Sequence, residues 1–325
     1  MTLPVHVPGF GHERPPEITV KVRIGFGLGT RSVTNDDRFG PFVDDLERLG
    51  FDSLWFSERV GGNAPDPVVA MAFAAGRTTK LKFGTSVMVL PGRNPVLVAK
   101  QLASLDRLSN GRLLPAFGLG VADRHEQQAF GVAREDRAKW FNEALPLIRR
   151  LWAEDSVSHH GERFDLDDIG VSPKPVQSPM DVWLGGIAPS ELKRVGRLAD
   201  GWLPSFVTPN DVAAARPAIE AAAAESGRVM DPEHWGVLIG YGTNGSGTVS
   251  SDLAAFIAKR RPDLDPNAVV PPTLGALADQ IAAFTEVGFS KIVLVPMAEP
   301  RHWSDHLAEV ADLLLPLQKS LPHAS

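Results

Sequence analysis

Four apolar, β-branched or aromatic runs begin at Val22, Asp52, Leu81 and Arg112, spaced 30, 29 and 31 residues apart. That spacing is the length of one strand plus one returning helix. It predicts an α/β fold in which parallel strands are joined by helical crossovers. The helices between the runs carry their own punctuation. From Asp36, Phe39, Phe42, Val43, Leu46 and Leu49 share one face, and Gly50 can take the left-handed cap. Asn94-Pro95 reads as an N-cap followed by proline at the first helical position, and that helix stops at Asn110-Gly111. A further helix holds Phe141, Leu145, Ile148 and Trp152 in register, with Pro146 inside it.

Four more strands are predicted at Asp181, Gly201, Trp235 and Lys291, separated by helices over 190–199, 211–226, 274–287 and 303–315. Eight units in one unbroken series give a (β/α)8 TIM barrel with insertions at 153–180 and 242–273. A doubly wound open sheet is the rival, and the uninterrupted series favours closure. Residues 1–20, with four prolines and no period, are expected to form an N-terminal extension. Residues 21–325 are then a single barrel domain, since no linker divides them.

The chain has no cysteine, which removes disulfides, thiolate nucleophiles and cysteine-ligated metals. A net charge of −6 offers no basic footprint for nucleic acid. The first twenty residues lack a basic start before an apolar run, and the longest uncharged stretch, 235–251, is broken by Gly, Ser and Asn. The expectation is a cytoplasmic protein acting on a small molecule, without nucleic-acid or membrane partners.

In a barrel of this type the site is built at the C-terminal strand ends. These are Phe26–Thr30, Ser57–Arg59, Thr85–Val87, Gly118–Asp123, Gly185–Ile187, Ser205-Phe206, Tyr241 and Pro296-Met297. Gly185-Gly186-Ile187 opens a helix with bare backbone N–H groups, which suits a phosphate, though a tight strand-to-helix turn reads the same way. Lys193, Arg194 and Arg197 follow, either as an aid to anion binding or as a solvated basic face. Glu58 and Arg59 at a strand end can orient a ligand or exchange protons, or simply pair with each other at the rim. Polar Thr85-Ser86 inside an apolar strand marks a bulge. The glycine-rich run from Gly25 has Thr30 where a dinucleotide fingerprint needs glycine, and His159-His160 read as loop, without the spacing of a helical metal pair. No metal site and no specific catalytic residue follow from these patterns.

The segments Gly50–Trp55, Ser57-Glu58, Gly84–Gly120, Ser172–Gly186 and Leu198–Trp202 together resemble the luciferase-like flavin monooxygenases, a family that includes the coenzyme F420-dependent oxidoreductases. The similarity runs over about residues 22–320. The resemblance implies a (β/α)8 barrel holding a flavin or deazaflavin at its mouth. It places a non-prolyl cis peptide at Ser86-Val87, the cofactor phosphate near Gly120, Gly185, Gly186 and Ile187, and Glu58 against the ring. Many relatives have histidine where this chain has Arg59, so no histidine proton donor carries over. The luciferases proper have a phosphate-binding arginine where this chain has Leu119, which favours F420 over FMN. The implied function is hydride transfer from reduced F420 to a small unsaturated or carbonyl-type substrate. The alternatives are an FMNH2-dependent two-component monooxygenase served by a flavin reductase, and a flavin-binding barrel without turnover. Family resemblance also implies a homodimer.

Overall fold

The computed structural model describes residues 19–29, 37–243, 248–318 and 320–322. Expectations that fell on residues 1–18, Thr30, Arg31 and Asp36 lie outside the described residues. The chain begins with β1 (Thr19–Lys21), β2 (Arg23–Gly27), α1 (Phe39–Leu49), β3 (Ser53–Phe56) and α2 (Pro67–Arg77). The third unit is split into β4 (Lys82–Thr85) and β5 (Met88–Val89), followed by α3 (Pro95–Leu108). The fourth is β6 (Leu113–Leu114) and β7 (Ala116–Gly118), then α4 (Arg124–Phe130) and α5 (Arg137–Ala153). A hairpin of β8 (Val157–His160) and β9 (Asp165–Ile169) precedes β10 (Trp183–Leu184), α6 (Pro189–Leu198), β11 (Gly201–Trp202) and α7 (Pro209–Glu225). The chain closes with β12 (Gly236–Tyr241), α8 (Ser251–Arg260), α9 (Pro266–Val269), α10 (Leu274–Glu286), β13 (Lys291–Pro296), α11 (Trp303–Leu314) and β14 (Ser320–Pro322).

The barrel can be followed around its full circumference. One ladder runs β12-β13-β2-β3-β4-β6 and a second β11-β10-β7-β5, with every pairing parallel. β4 and β5 are halves of one barrel strand, as are β6 and β7, so the two ladders are continuous through that bend. Parallel bridges Trp202–Trp235 and Ser205–Leu238 join β11 to β12 and complete the ring. This is the (β/α)8 barrel that the residue spacing predicts. Outside it, β1 pairs antiparallel with β14, so Thr19 and Val20, placed in the extension by sequence, are tied to residues 322 and 321.

Local chemistry explains the elements. Gly50 caps α1 at φ 90°, and the Asn94 side chain accepts from the N–H groups of Val96 and Leu97 at the start of α3. The helices α2 and α4 and the β8–β9 hairpin are additions to the expected pattern. His159 and His160 are strand residues rather than loop, bonded to Glu143 at 3.0 Å and Asp165 at 2.6 Å. Among the described residues no cluster of three or more His, Asp or Glu is placed to hold a metal, and no helix is long and apolar enough to cross a membrane.

The two ends of the barrel differ in chemistry. At the N-terminal end, Asp52 receives Lys291 at 2.5 Å and Lys82 at 3.2 Å, and the Lys291 side chain is only 4% exposed. Burial raises the Asp52 pKa, but the two ammonium groups outweigh it and hold the carboxyl at about 2. Burial pulls Lys291 down to about 8 against the opposing pull of Asp52, so the pair is charged at neutral pH.

At the other end the third barrel strand breaks at Thr85. Its buried hydroxyl donates to the Ala116 carbonyl at 2.6 Å and accepts from the Ala116 N–H at 2.9 Å, replacing ladder bonds that the bend removes. Thr85→Val would leave both Ala116 groups unpaired. It should lower the unfolding free energy by about 1–3 kcal/mol in urea denaturation. A midpoint equal to wild type would show that the hydroxyl carries no such role.

Candidate active site at the barrel mouth

A cavity of about 510 Å³ opens at the C-terminal strand ends. All seven residues expected at the cofactor site, Glu58, Ser86, Val87, Gly120, Gly185, Gly186 and Ile187, line it. Thr85 and Tyr241 do not. The former is in the ladder, and the Tyr241 hydroxyl lies 2.7 Å from His306 Nε2 within the wall. Asp123 instead caps α4, accepting from the N–H groups of His125 and Glu126.

The floor is apolar. Val87, Leu203, Leu238 and Val295 line the cavity above a buried layer that includes Trp55, Ala116 and Trp183. The Ser86–Val87 peptide is cis, as the resemblance implied. Val87 packs directly over glycine backbone: a Cβ added at Gly118 would stand 2.5 Å from Val87 Cγ2. Ser57 Oγ reaches the Ser86 carbonyl and hydroxyl, each at 3.2 Å, and the Ser86 N–H donates to the Phe56 carbonyl at 2.7 Å. The bend is thus held from the end of β3 on one side and from Gly118 of β7 on the other.

Glu58 is not paired with Arg59, which corrects the rim-pair reading. Arg59 turns to Asp123 at 3.5 Å and Glu126 at 3.7 Å. The Glu58 carboxylate, 6% exposed, accepts from the Val89 N–H at 2.7 Å and from Arg93, whose Nε donates to the Val89 carbonyl at 2.9 Å. Glu58, Arg93 and Val89 form a closed hydrogen-bonded ring that fixes the strand just beyond Val87. Burial raises the Glu58 pKa, with Arg93 and the Val89 N–H opposing it. Sequence reading missed Arg93. The signal was its place five residues after Met88, in the turn that follows the bulged strand, where an arginine can reach back.

The anion side is more complex than expected. Glu191, in the first turn of α6, accepts from the N–H groups of Ile187 and Ala188 at 3.0 Å each. A carboxylate therefore already satisfies one of the N–H groups assigned to a phosphate. Gly186 takes φ +96°, and a Cβ there would stand 2.5 Å from Glu191 Oε2, so this turn needs glycine for both conformation and space. Of the three basic residues on α6, Lys193 and Arg197 are exposed, but Arg194 is buried and lines the cavity. Its Nε donates to Asn142 Oδ1 at 3.1 Å and its guanidinium lies 5.7 Å from the Phe141 ring centre. Burial lowers its pKa, with Glu191 opposing, and it makes no ion pair with a carboxylate among the described residues. A buried cation at a cavity wall that feels Glu191 only at a distance and makes no ion-pair contact is a ready anion receptor.

The mouth of this closed α/β barrel thus combines an apolar, glycine-walled shelf with a buried arginine. Residues 23–289 match the family described as luciferase-like monooxygenase, and the chain belongs to that family. An F420-dependent glucose-6-phosphate dehydrogenase of Kineococcus radiotolerans is 31% identical over 176 residues, covering 51% of each chain. Limonene 1,2-monooxygenase of Rhodococcus erythropolis is 32% identical over 202 residues, covering 59% of this chain and 51% of that one. The chain thus spans about half the length of these curated relatives. A solved F420-dependent secondary alcohol dehydrogenase, in complex with an F420–acetone adduct, superposes with a TM-score of 0.78 at 20% identity, over 92% of this chain and all of that one.

Proposed function

We propose that this chain is an oxidoreductase that binds F420 in the mouth cavity and transfers hydride between it and a small organic substrate. The observation that carries the reading is the Val87 shelf, pressed against glycine backbone, with the buried guanidinium of Arg194 along the same wall. These residues fit a flat, largely apolar ring with an anionic side chain: the Val87 shelf is apolar, and Arg194 has no ion-pair contact to break. Bound F420 supplies the hydride chemistry. The protein's part is to present one face of the ring, to hold its anionic group at Arg194 and the Gly185–Ile187 turn, and to keep water out. For the phosphate to use the Ile187 N–H, Glu191 must turn away from it. Glu58 acts through the ring it makes with Val89 and Arg93, which keeps the shelf at one height.

The relatives named as F420-dependent support this choice of cofactor, and Leu119 on the cavity wall agrees with it. The monooxygenase relative supports a second reading, with FMNH2 from a separate reductase and oxygen as co-substrate. Cytoplasmic location and a homodimer belong to the proposal as expectations.

Equilibrium titration with F420 and with FMN, followed by quenching of protein fluorescence, tests the cofactor. Tighter binding of F420 is the expected result, and preference for FMN would overturn it. Arg194→Met should weaken F420 binding by about ten- to a hundredfold, the usual worth of hydrogen bonds to a charged group. Unchanged affinity in that variant would remove Arg194 from the site.

A further inference from the structure

The insertion between β12 and β13 supplies a wall of the cavity that the cofactor reading leaves unused. Helix α8 brings Phe256 and Arg260 to the lining, where they meet Phe206 and Met297 from neighbouring strand ends. Phe206 and Phe256 stand edge to face at 5.7 Å, and the Arg260 guanidinium covers them at 4.9 and 5.9 Å from the ring centres. Beneath this group lies a small apolar cluster of Leu253, Ile257, Val269 and Val270.

Two adjacent arginines in this wall behave differently. Arg261 is committed to the fold: it pairs with Asp211 at 2.9 Å and Asp263 at 2.8 Å, and donates to the Phe206 carbonyl at 2.9 Å. Phe206 itself stands at φ 55°, a left-handed conformation unusual for an aromatic residue. Arg260 has stacking partners alone. Among the described residues no carboxylate pairs with it and no acceptor takes its N–H groups. Stacking uses the face of a guanidinium and leaves its in-plane donors free, in the fork geometry that matches a carboxylate or phosphate. The carboxylates of the lining, Glu58, Glu126 and Glu191, are already engaged by N–H donors.

We propose that Arg260 anchors an anionic group, carboxylate or phosphate, on the substrate, and that Phe206 and Phe256 receive the apolar body next to it. This rests on the oxidoreductase reading and names its substrate class: organic acids or phosphate esters rather than neutral ketones or terpenes.

The test is isothermal titration of wild type, Arg260→Met and Arg260→Lys, each with and without saturating F420. The probes are matched pairs, cinnamate against cinnamamide and glucose 6-phosphate against glucose. Wild type should prefer the anionic member of at least one pair by about tenfold or more. Arg260→Met should abolish that preference, and Arg260→Lys should keep part of it. Equal affinity within both pairs for wild type, or an undiminished preference in Arg260→Met, overturns the proposal. F420 affinity, measured in the same variants, separates the two sources of anion. It should change less than twofold, whereas a tenfold loss in Arg260→Met would assign the arginine to the cofactor and overturn its substrate role. Failure of wild type to bind F420 would instead defeat the cofactor reading, and an anion preference measured without F420 is independent of that result.

Discussion

Turnover of a Glu58→Ala variant should fall by about a hundredfold, with the fold retained. The reason is positional. Glu58 receives the Val89 N–H and Arg93 together, and Arg93 also holds the Val89 carbonyl. Removing the carboxylate frees the strand next to Val87, and a displacement of about 1 Å at a reacting face costs about a hundredfold in rate. Glu58→Gln keeps an acceptor for the Val89 N–H but loses the charge that faces Arg93, so its loss should be intermediate. The measurement is kcat together with F420 affinity, with thermal unfolding as the control on folding. Wild-type values of both in Glu58→Ala would show that the hydrogen-bonded ring does not position the shelf.

The second large effect is expected at the opposite end of the barrel. Lys291→Met should destabilise the protein by about 3–5 kcal/mol, because it leaves Asp52 buried with only Lys82, on the more exposed side, to balance it. Asp52→Asn should cost a comparable amount by stranding Lys291. The double variant should recover much of the loss, since two neutral groups replace two uncompensated charges. The pair also sets an acid limb. The Asp52 carboxyl titrates at about 2 in the folded chain against an ordinary value of 3.8. Its contribution is therefore present above pH 3.8 and is lost as pH falls through 2, a total of about 2 kcal/mol. Urea unfolding of wild type and Asp52→Asn between pH 5 and pH 2, run in parallel, reads this directly. Parallel stability curves for the two proteins over that range would contradict the assignment.

Much of this architecture is legible in the residues, and the unread parts have physical reasons. The strands at Val22, Asp52, Leu81, Trp235 and Lys291 are apolar runs bounded by turn residues, and the structure places strands within each of them. Helix α2 escapes a periodicity test because Pro67–Arg77 is apolar on nearly every side and has no polar face to mark the turn. Its start is still signalled, since Asp66 accepts from the N–H groups of Val68 and Val69 ahead of a proline at the first position. The hairpin strand β9, Asp-Leu-Asp-Asp-Ile, is a charged ribbon whose pairing, not its composition, makes it a strand. The site shows the same division. Glycines and strand ends locate the cavity, because close backbone approach restricts what a position can be. Partner choice is different: Glu58 finds Arg93 rather than its neighbour Arg59, and Glu191 finds the N–H groups of Ile187 and Ala188. The first outcome depends on where the turn before α3 lies in space, which spacing along the chain does not encode. The second is local, an acid three residues after the N-cap of α6, and is readable as the acid half of a capping box.

The proposed chemistry of the mouth cavity is hydride exchange between F420 and an organic substrate. It is tested most directly by loading the protein with F420 reduced by deuteride and adding a panel of enones, ketones and their acidic analogues under anaerobic conditions. The result expected is oxidation of the cofactor only when an organic acceptor is present, with one deuterium found in the reduced product. Absence of deuterium in any product, together with oxygen consumption when the same protein is given FMNH2, would contradict the account.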